Sequence, residues 1–499
     1  MKLQFRKSTI PYMHQVLREI QNQEQTQEIR LTDGMPDIGK VLCAWGQVIA
    51  RSKEWRNDST SFNCGAMVWV LYAPEDGSQP RALESWIPFQ MKWDLPRDSR
   101  DGTLVVTPLL RFVDARTVSA RKIMVRCGIS ALAEGLIEAQ AEVYLPDEVP
   151  ENVHLLRNTY PIRLIREAGE KEFLMEEELT LPPSAPLPEK LVYYTMHPEI
   201  TEQRLMSDKV VFRGNGNLHI LFRSEDDTLC AWDFELPFSQ LAELEGSYSP
   251  EGSVDVRMGV TSLELDVDEE NHLHLKCALV GQYRVQDQQW MELVEDAYSP
   301  QRELEIVRNE LELPAILESR SENIFAEAAI GQEANVIVDC AFLADQPVIH
   351  RNADRMELEL PGQFQVLYYD ENGVLQGSTA RWEGKWQMDV DGNTRIGAQI
   401  LPSTEVSASE SGGMIRMNTQ IHLNVETVAT KGISTVSELE LGEEKLPDPS
   451  RPSLILRRAD RKRLWDIAKS CGSTVDAIRQ ANALEDEPVI GQMLLIPIS

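Results

Sequence analysis

Gly65-Ala66-Met67-Val68-Trp69-Val70-Leu71-Tyr72, followed by Glu75-Asp76-Gly77 and by a return run that ends in Trp86-Ile87-Pro88-Phe89, is the stretch that decides the fold. The first run has the β-branched and aromatic content of a strand, and the acidic, Gly-bearing turn is what a tight hairpin needs. The layout returns twice. Leu218-His219-Ile220-Leu221-Phe222 leads through Glu225-Asp226-Asp227 to Phe234-Glu235-Leu236-Pro237-Phe238. Phe364-Gln365-Val366-Leu367-Tyr368-Tyr369 leads through Asp370-Glu371-Asn372-Gly373 to Trp382-Glu383-Gly384-Lys385-Trp386. A second hairpin follows each copy: 109–120 with 122–128, 256–267 with 272–281, and 395–408 with 414–425. Such a repeat, with turn signals every ~8–12 residues, predicts a mainly β chain of tandem antiparallel, sandwich-like domains.

Further out, Met35-Pro36-Asp37-Ile38-Gly39-Lys40-Val41 and Leu187-Pro188-Glu189-Lys190-Leu191-Val192 form a repeated lead-in, with no clear counterpart in the third copy. The expected domains are 1–160 (an N-terminal helix, from the Gln/Glu-rich 12–30, and the first β domain), 161–316, and a divergent third, 317–440. A Pro/Glu-rich linker, 441–453, then leads to a small α+β unit, 454–499. That unit reads as strand, helix, helix, strand. Leu464, Ile467 and Ala468 share one helical face, and Val475, Ile478 and Asn482 share the next. Cys471-Gly472 stops the first helix and Thr474 caps the second. Leu494 and Ile496 point inward on the closing strand, which Pro497 ends.

The chain of 499 residues carries a formal net charge of −31, which argues against nucleic acid and anionic membrane as general partners. The charge is uneven. From Arg451 onward there are eight Lys and Arg against six Asp and Glu, while the remaining 450 residues carry 41 against 74. Seven cysteines, scattered singly and never as C-x-x-C, read as small buried hydrophobes in a reducing compartment. The N-terminus lacks an apolar secretory core and no run is long enough for a transmembrane segment, so a cytoplasmic protein is expected.

The C-terminal unit resembles a LysM module over its whole length. The paired hairpins, the PD-I-x-KV lead-in and the aromatic-x-x-P-F hairpin end resemble the SPOCS (spore-coat-associated) domain. Tandem SPOCS domains ending in one LysM module are the layout of a spore-coat morphogenetic family. The resemblance implies a sporulation protein of the mother cell, held at the forespore surface. Its partners would be the coat basement-layer ATPase, stage IV sporulation protein A, and other coat proteins. The alternative is a cell-wall or cortex-associated protein that binds peptidoglycan through N-acetylglucosamine. One departure bears on that choice: where glycan-binding modules usually carry Gly-Asp-Thr before Leu-Trp, this chain has Arg461-Lys462-Arg463.

The candidate partner-binding surface is therefore Arg461, Lys462, Arg463, Trp465, Lys469, Leu484 and Ile490. Cations there suit an acidic protein face. Trp465, one residue past buried Leu464, is expected to be at least partly exposed. His272 and His274 share a strand face but lack a clear third metal ligand, so they read as ordinary strand side chains. Gly214-Asn215-Gly216-Asn217 lacks the Lys-Ser/Thr end of a phosphate loop and reads as a turn or bulge before a strand. No catalytic motif is found, so the expectation is a non-enzymatic protein without cofactor or metal.

Overall fold

The computed structural model describes residues 2–352, 354–391, 394–445 and 452–498. The first copy comprises β1 (Phe5–Arg30), β2 (Ile38–Trp55), β3 (Ser59–Pro74), β4 (Arg81–Asp94), β5 (Thr103–Ser119) and β6 (Lys122–Pro146). They form two three-stranded antiparallel sheets, β2-β3-β4 and β1-β6-β5, packed face to face. β4 shows how the sequence specifies this. Ile87, Phe89, Met91 and Trp93 are buried while Pro88, Gln90, Lys92 and Asp94 face out, the period-2 pattern of a half-buried strand. Pro88 has no N–H for a ladder and is tolerated because β4 is an edge. Gly77 closes the β3–β4 turn at φ 73°.

The second copy repeats the plan with β7 (His154–Leu179), β8 (Pro188–Met206), β9 (Lys209–Ser224), β10 (Leu229–Glu243), β11 (Ser253–Val267) and β12 (Leu273–Tyr298), in sheets β8-β9-β10 and β7-β12-β11. The third has β13 (Arg302–Ile330), β14 (Val336–Ala344), β15 (Val348–Asn352), β16 (Arg355–Tyr369), β17 (Leu375–Asp389), β18 (Thr394–Glu410) and β19 (Ile415–Glu444). Here β14 and β15 both pair with β16, filling one place with a strand broken at Asp345-Gln346-Pro347.

Three expectations need correction. The Gln/Glu-rich 12–30 segment is strand β1, not a helix, paired along its length with β6. Its partly buried positions include Gln21, Gln23, Gln25 and Gln27, so the alternation exists but is not apolar. Gln21 exchanges hydrogen bonds with Lys92 on β4, and Gln27 donates to Ser85. The expected domain boundaries at 160/161 and 316/317 fall inside β7 and β13, and 441–444 of the expected linker belong to β19. Gly214-Asn215-Gly216-Asn217 lies inside β9, paired on both sides, not before a strand. A Cβ at Gly214 would meet the Glu199 carbonyl at 1.9 Å.

The long outer strands build a second core beyond the sandwiches. β1, β7 and β13 each carry a bulge, at Val16, Arg166 and Leu317, set against neighbouring residues of β6, β12 and β19. Counting from the bulges, Tyr12, Ile162 and Leu313 are equivalent, as are Ile10, Tyr160 and Leu311, and Ala141, Met291 and Ile433. All nine pack in one cluster, so three strand pairs converge on a pseudo-threefold core that no copy could bury alone. Beside it lie Glu134, Arg284 and Glu426, again equivalent positions. Glu134 is bound by Arg18, Arg257 and Arg284, and Arg284 also reaches Asp255 (2.7 Å) and Glu426 (3.2 Å). Burial opposes ionisation of Glu134, but the three guanidiniums outweigh it and hold its carboxyl far below the usual range. A cavity of about 710 Å³ above this network is lined by all three copies, among them Gly46, Val106, Met196, Val256, Phe342 and Gln399.

Candidate functional site

The C-terminal unit consists of β20 (Leu454–Arg458), α1 (Leu464–Cys471), α2 (Val475–Asn482) and β21 (Met493–Pro497). Leu464, Ile467, Ala468, Ile478, Leu494 and Ile496 form its core, as the two helical periods and the strand alternation require. Gly472 ends α1 in the left-handed region, φ 68°, and the Thr474 hydroxyl accepts the Ala477 amide at 3.0 Å. Arg463 gives α1 no side-chain cap. Glu487, from the loop after α2, accepts the Leu464 amide at 2.8 Å instead. Asn482 holds β21 by donating to Leu495 O and accepting from Leu495 N, at 2.6 and 2.7 Å.

The seven candidate residues do not form one surface. Arg461 and Lys462 are exposed in the β20–α1 loop, and no ion pair is formed by either among the described residues. Arg463 is half exposed, 3.6 Å from Asp466 and 4.0 Å from Glu295. Ile490 is 67% exposed at the tip of the α2–β21 loop. Leu484 is turned inward, packed on the core.

Trp465 is the clear correction: it is 8% exposed, not open to solvent. Its indole packs edge-on against Tyr298 at 4.7 Å, and its Nε1–H donates to Asp296 at 2.9 Å. Lys469 Nζ donates to both oxygens of Asp296, at 2.9 and 2.7 Å. Burial pushes the Asp296 carboxyl up, but the bonds from Lys469 and Trp465 outweigh this and hold it below its ordinary value. Asp296, Glu295 and Tyr298 belong to the end of β12. The C-terminal unit is thus seated on the second β copy. Nothing in the sequence marks those residues, because carboxylates are too frequent in this chain for any one to stand out.

Comparison with known families separates the two parts. Residues 188–268 match the family described as SipL, SPOCS domain, and residues 464–497 match the LysM domain. The chain carries a SPOCS domain followed by a LysM domain. The SPOCS match runs from the start of β8 to the turn after β11, so the long pair β7 and β12 lies outside the matched span. The match makes this a sporulation-related protein, and its LysM domain is of a kind capable of binding peptidoglycan. Comparison with curated proteins and with solved structures finds no match.

The two strand histidines pair with nearby carboxylates. His274 Nε2 lies 2.9 Å from Asp268, and His272 lies 3.6 Å from Asp268 and Glu178. No group of three His, Cys, Asp or Glu side chains suited to a metal occurs among the described residues. Five of the seven cysteines are buried. Burial pushes the thiols of Cys64, Cys127 and Cys277 up to about 12, the reverse of nucleophilic activation. Among the described residues no helix is long and apolar enough to cross a membrane.

Proposed function

We propose that this protein is a non-catalytic spore-coat assembly factor. Its LysM domain docks the coat basement-layer ATPase, stage IV sporulation protein A, at the forespore surface in the mother cell. The three β copies act as an acidic scaffold for other coat proteins. The observation that carries the reading is the β20–α1 loop. Arg461 and Lys462 stand there exposed and without ion-pair partners among the described residues, on a chain whose other 450 residues carry 41 cations against 74 anions. Cations so placed steer an acidic protein surface and fix its orientation, and they offer little to a neutral sugar.

The test is a titration of the full chain against two ligands in parallel, the coat ATPase and soluble peptidoglycan fragments, at low and moderate salt. Saturable binding to the ATPase should weaken with salt. Replacing Arg461, Lys462 and Arg463 together by alanine should cost at least tenfold in affinity. Binding to the glycan alone, indifferent to those substitutions, would make this a cell-wall protein and end the docking reading.

A further inference from the structure

The end of β12 has an irregularity with a geometric result. The register against β7 shifts between Val294 and Asp296, leaving Glu295 as a bulge. In a regular strand neighbouring side chains point to opposite faces, but a bulge re-aims one of them. Glu295 and Asp296 therefore both reach the LysM domain, at Arg463 and at Trp465 with Lys469. Tyr298 supplies the aromatic wall for Trp465 and joins the core of that domain. Two adjacent carboxylates and a ring two residues on, presented by extended backbone, thus fill one face of α1.

We infer that this face of α1 is a receptor for an extended acidic-aromatic segment. The chain's own Glu295-Asp296-Ala297-Tyr298 occupies it in cis, and a protein partner bearing a segment of that chemistry displaces it. The inference rests on the docking reading and names the partner's recognition element. Charge complementarity supports the occupant: the receptor lies beside the Arg457 to Arg463 run, a cationic cluster on an acidic chain. The cations of the cis contact keep access to water, so a partner's carboxylates can reach them in exchange for the cis ones. Lys469 is 40% and Arg463 55% exposed, whereas Asp296 and Glu295 are 16% and 20% exposed. The apparent affinity for an external ligand is the intrinsic affinity multiplied by the fraction of molecules in which the contact is open.

The test uses the full chain and, as probe, a labelled synthetic peptide with the sequence of residues 292–299. Asp296→Asn removes the cis carboxylate and should tighten peptide binding at least tenfold over wild type. Adding Lys469→Glu should abolish that binding. On its own, Lys469→Glu should open the contact and raise the radius of gyration in small-angle scattering. Combining it with Asp296→Lys should restore the compact form, a check that local misfolding of β12 does not mimic. Equal peptide affinity in wild type and Asp296→Asn overturns the inference, as does a Lys469→Glu chain that stays compact. Peptide binding as expected without binding of the coat ATPase sinks the docking reading alone. ATPase binding that ignores Asp296 and Lys469 sinks this inference alone.

Discussion

Asn482 bears more of the LysM domain's integrity than its polar character suggests. It makes the two bonds to Leu495 and a third to Ile478 O at 2.8 Å. Asn482→Ala should cost about 2 kcal/mol, since each net bond is worth about 0.5–1.5 kcal/mol. The loss should appear as faster amide exchange at Leu495 with the β body unaffected. Glu134 is a residue of the opposite kind, fully buried and holding three arginines from two copies. Glu134→Gln leaves guanidinium charge uncompensated, and breaking such a network costs about 3–5 kcal/mol. Its pH behaviour follows from its depressed carboxyl. A lowered folded pKa contributes stability that is present in full above the unfolded value, 4.5, and is lost as pH falls toward the folded one. Urea midpoints of the wild type should therefore drop as pH falls below 4.5. The drop should be shallower in Glu134→Gln, which has no such proton to gain.

At the scale of elements, the bulges deserve the weight usually given to core residues. Leu317 is itself 48% exposed, yet its bulge kinks β13 between its two halves. Deleting it would leave Ile316 and Glu318 adjacent opposite Val428 and Thr427, so the ladder would close in the same register without its kink. The bend and added twist that carry Leu311 and Leu313 to the shared core would be lost with it. The expected result is loss of soluble, cooperatively unfolding protein, whereas Leu317→Ser should be nearly neutral. Thermal unfolding of the two variants side by side checks this. The same elements show where pattern reading stops. The β3–β4, β9–β10 and β16–β17 hairpins were legible because their inward residues are apolar and their turns carry Gly or Asp at positive φ, as at Gly77, Asp227 and Gly373. Strand β1 was not legible: its inward positions from Gln21 to Gln27 are glutamines, two of which bond to the neighbouring sheet, so that half has the strand period without hydrophobic contrast.

For the molecule as a whole, the shared core makes the three copies interdependent. Residues 154–300 contain a complete sandwich, but alone they would expose Ile162, Leu164, Met291 and Leu293, all buried in the full chain. That fragment should self-associate, and light scattering coupled to size exclusion should find no stable monomer. A chain ending at 445 keeps all three strand pairs and should stay folded while losing ATPase binding. Its survival and the fragment's self-association together would separate the roles of scaffold and head.

The sequence by itself determined the local matters: β copies in tandem, their hairpins and turns, the strand-helix-helix-strand end with its caps, and the charge contrast between body and head. These depend on residues close in the chain, where period and turn chemistry act directly. Only the tertiary structure decided that the outer strands of three copies meet in one core, that Glu134, Arg284 and Glu426 come together across some 290 residues of chain, and that Trp465 lies against Tyr298 and Asp296 rather than in water. Those contacts join segments whose individual composition is ordinary for an acidic β protein. Their meaning arises from proximity, which no local pattern encodes.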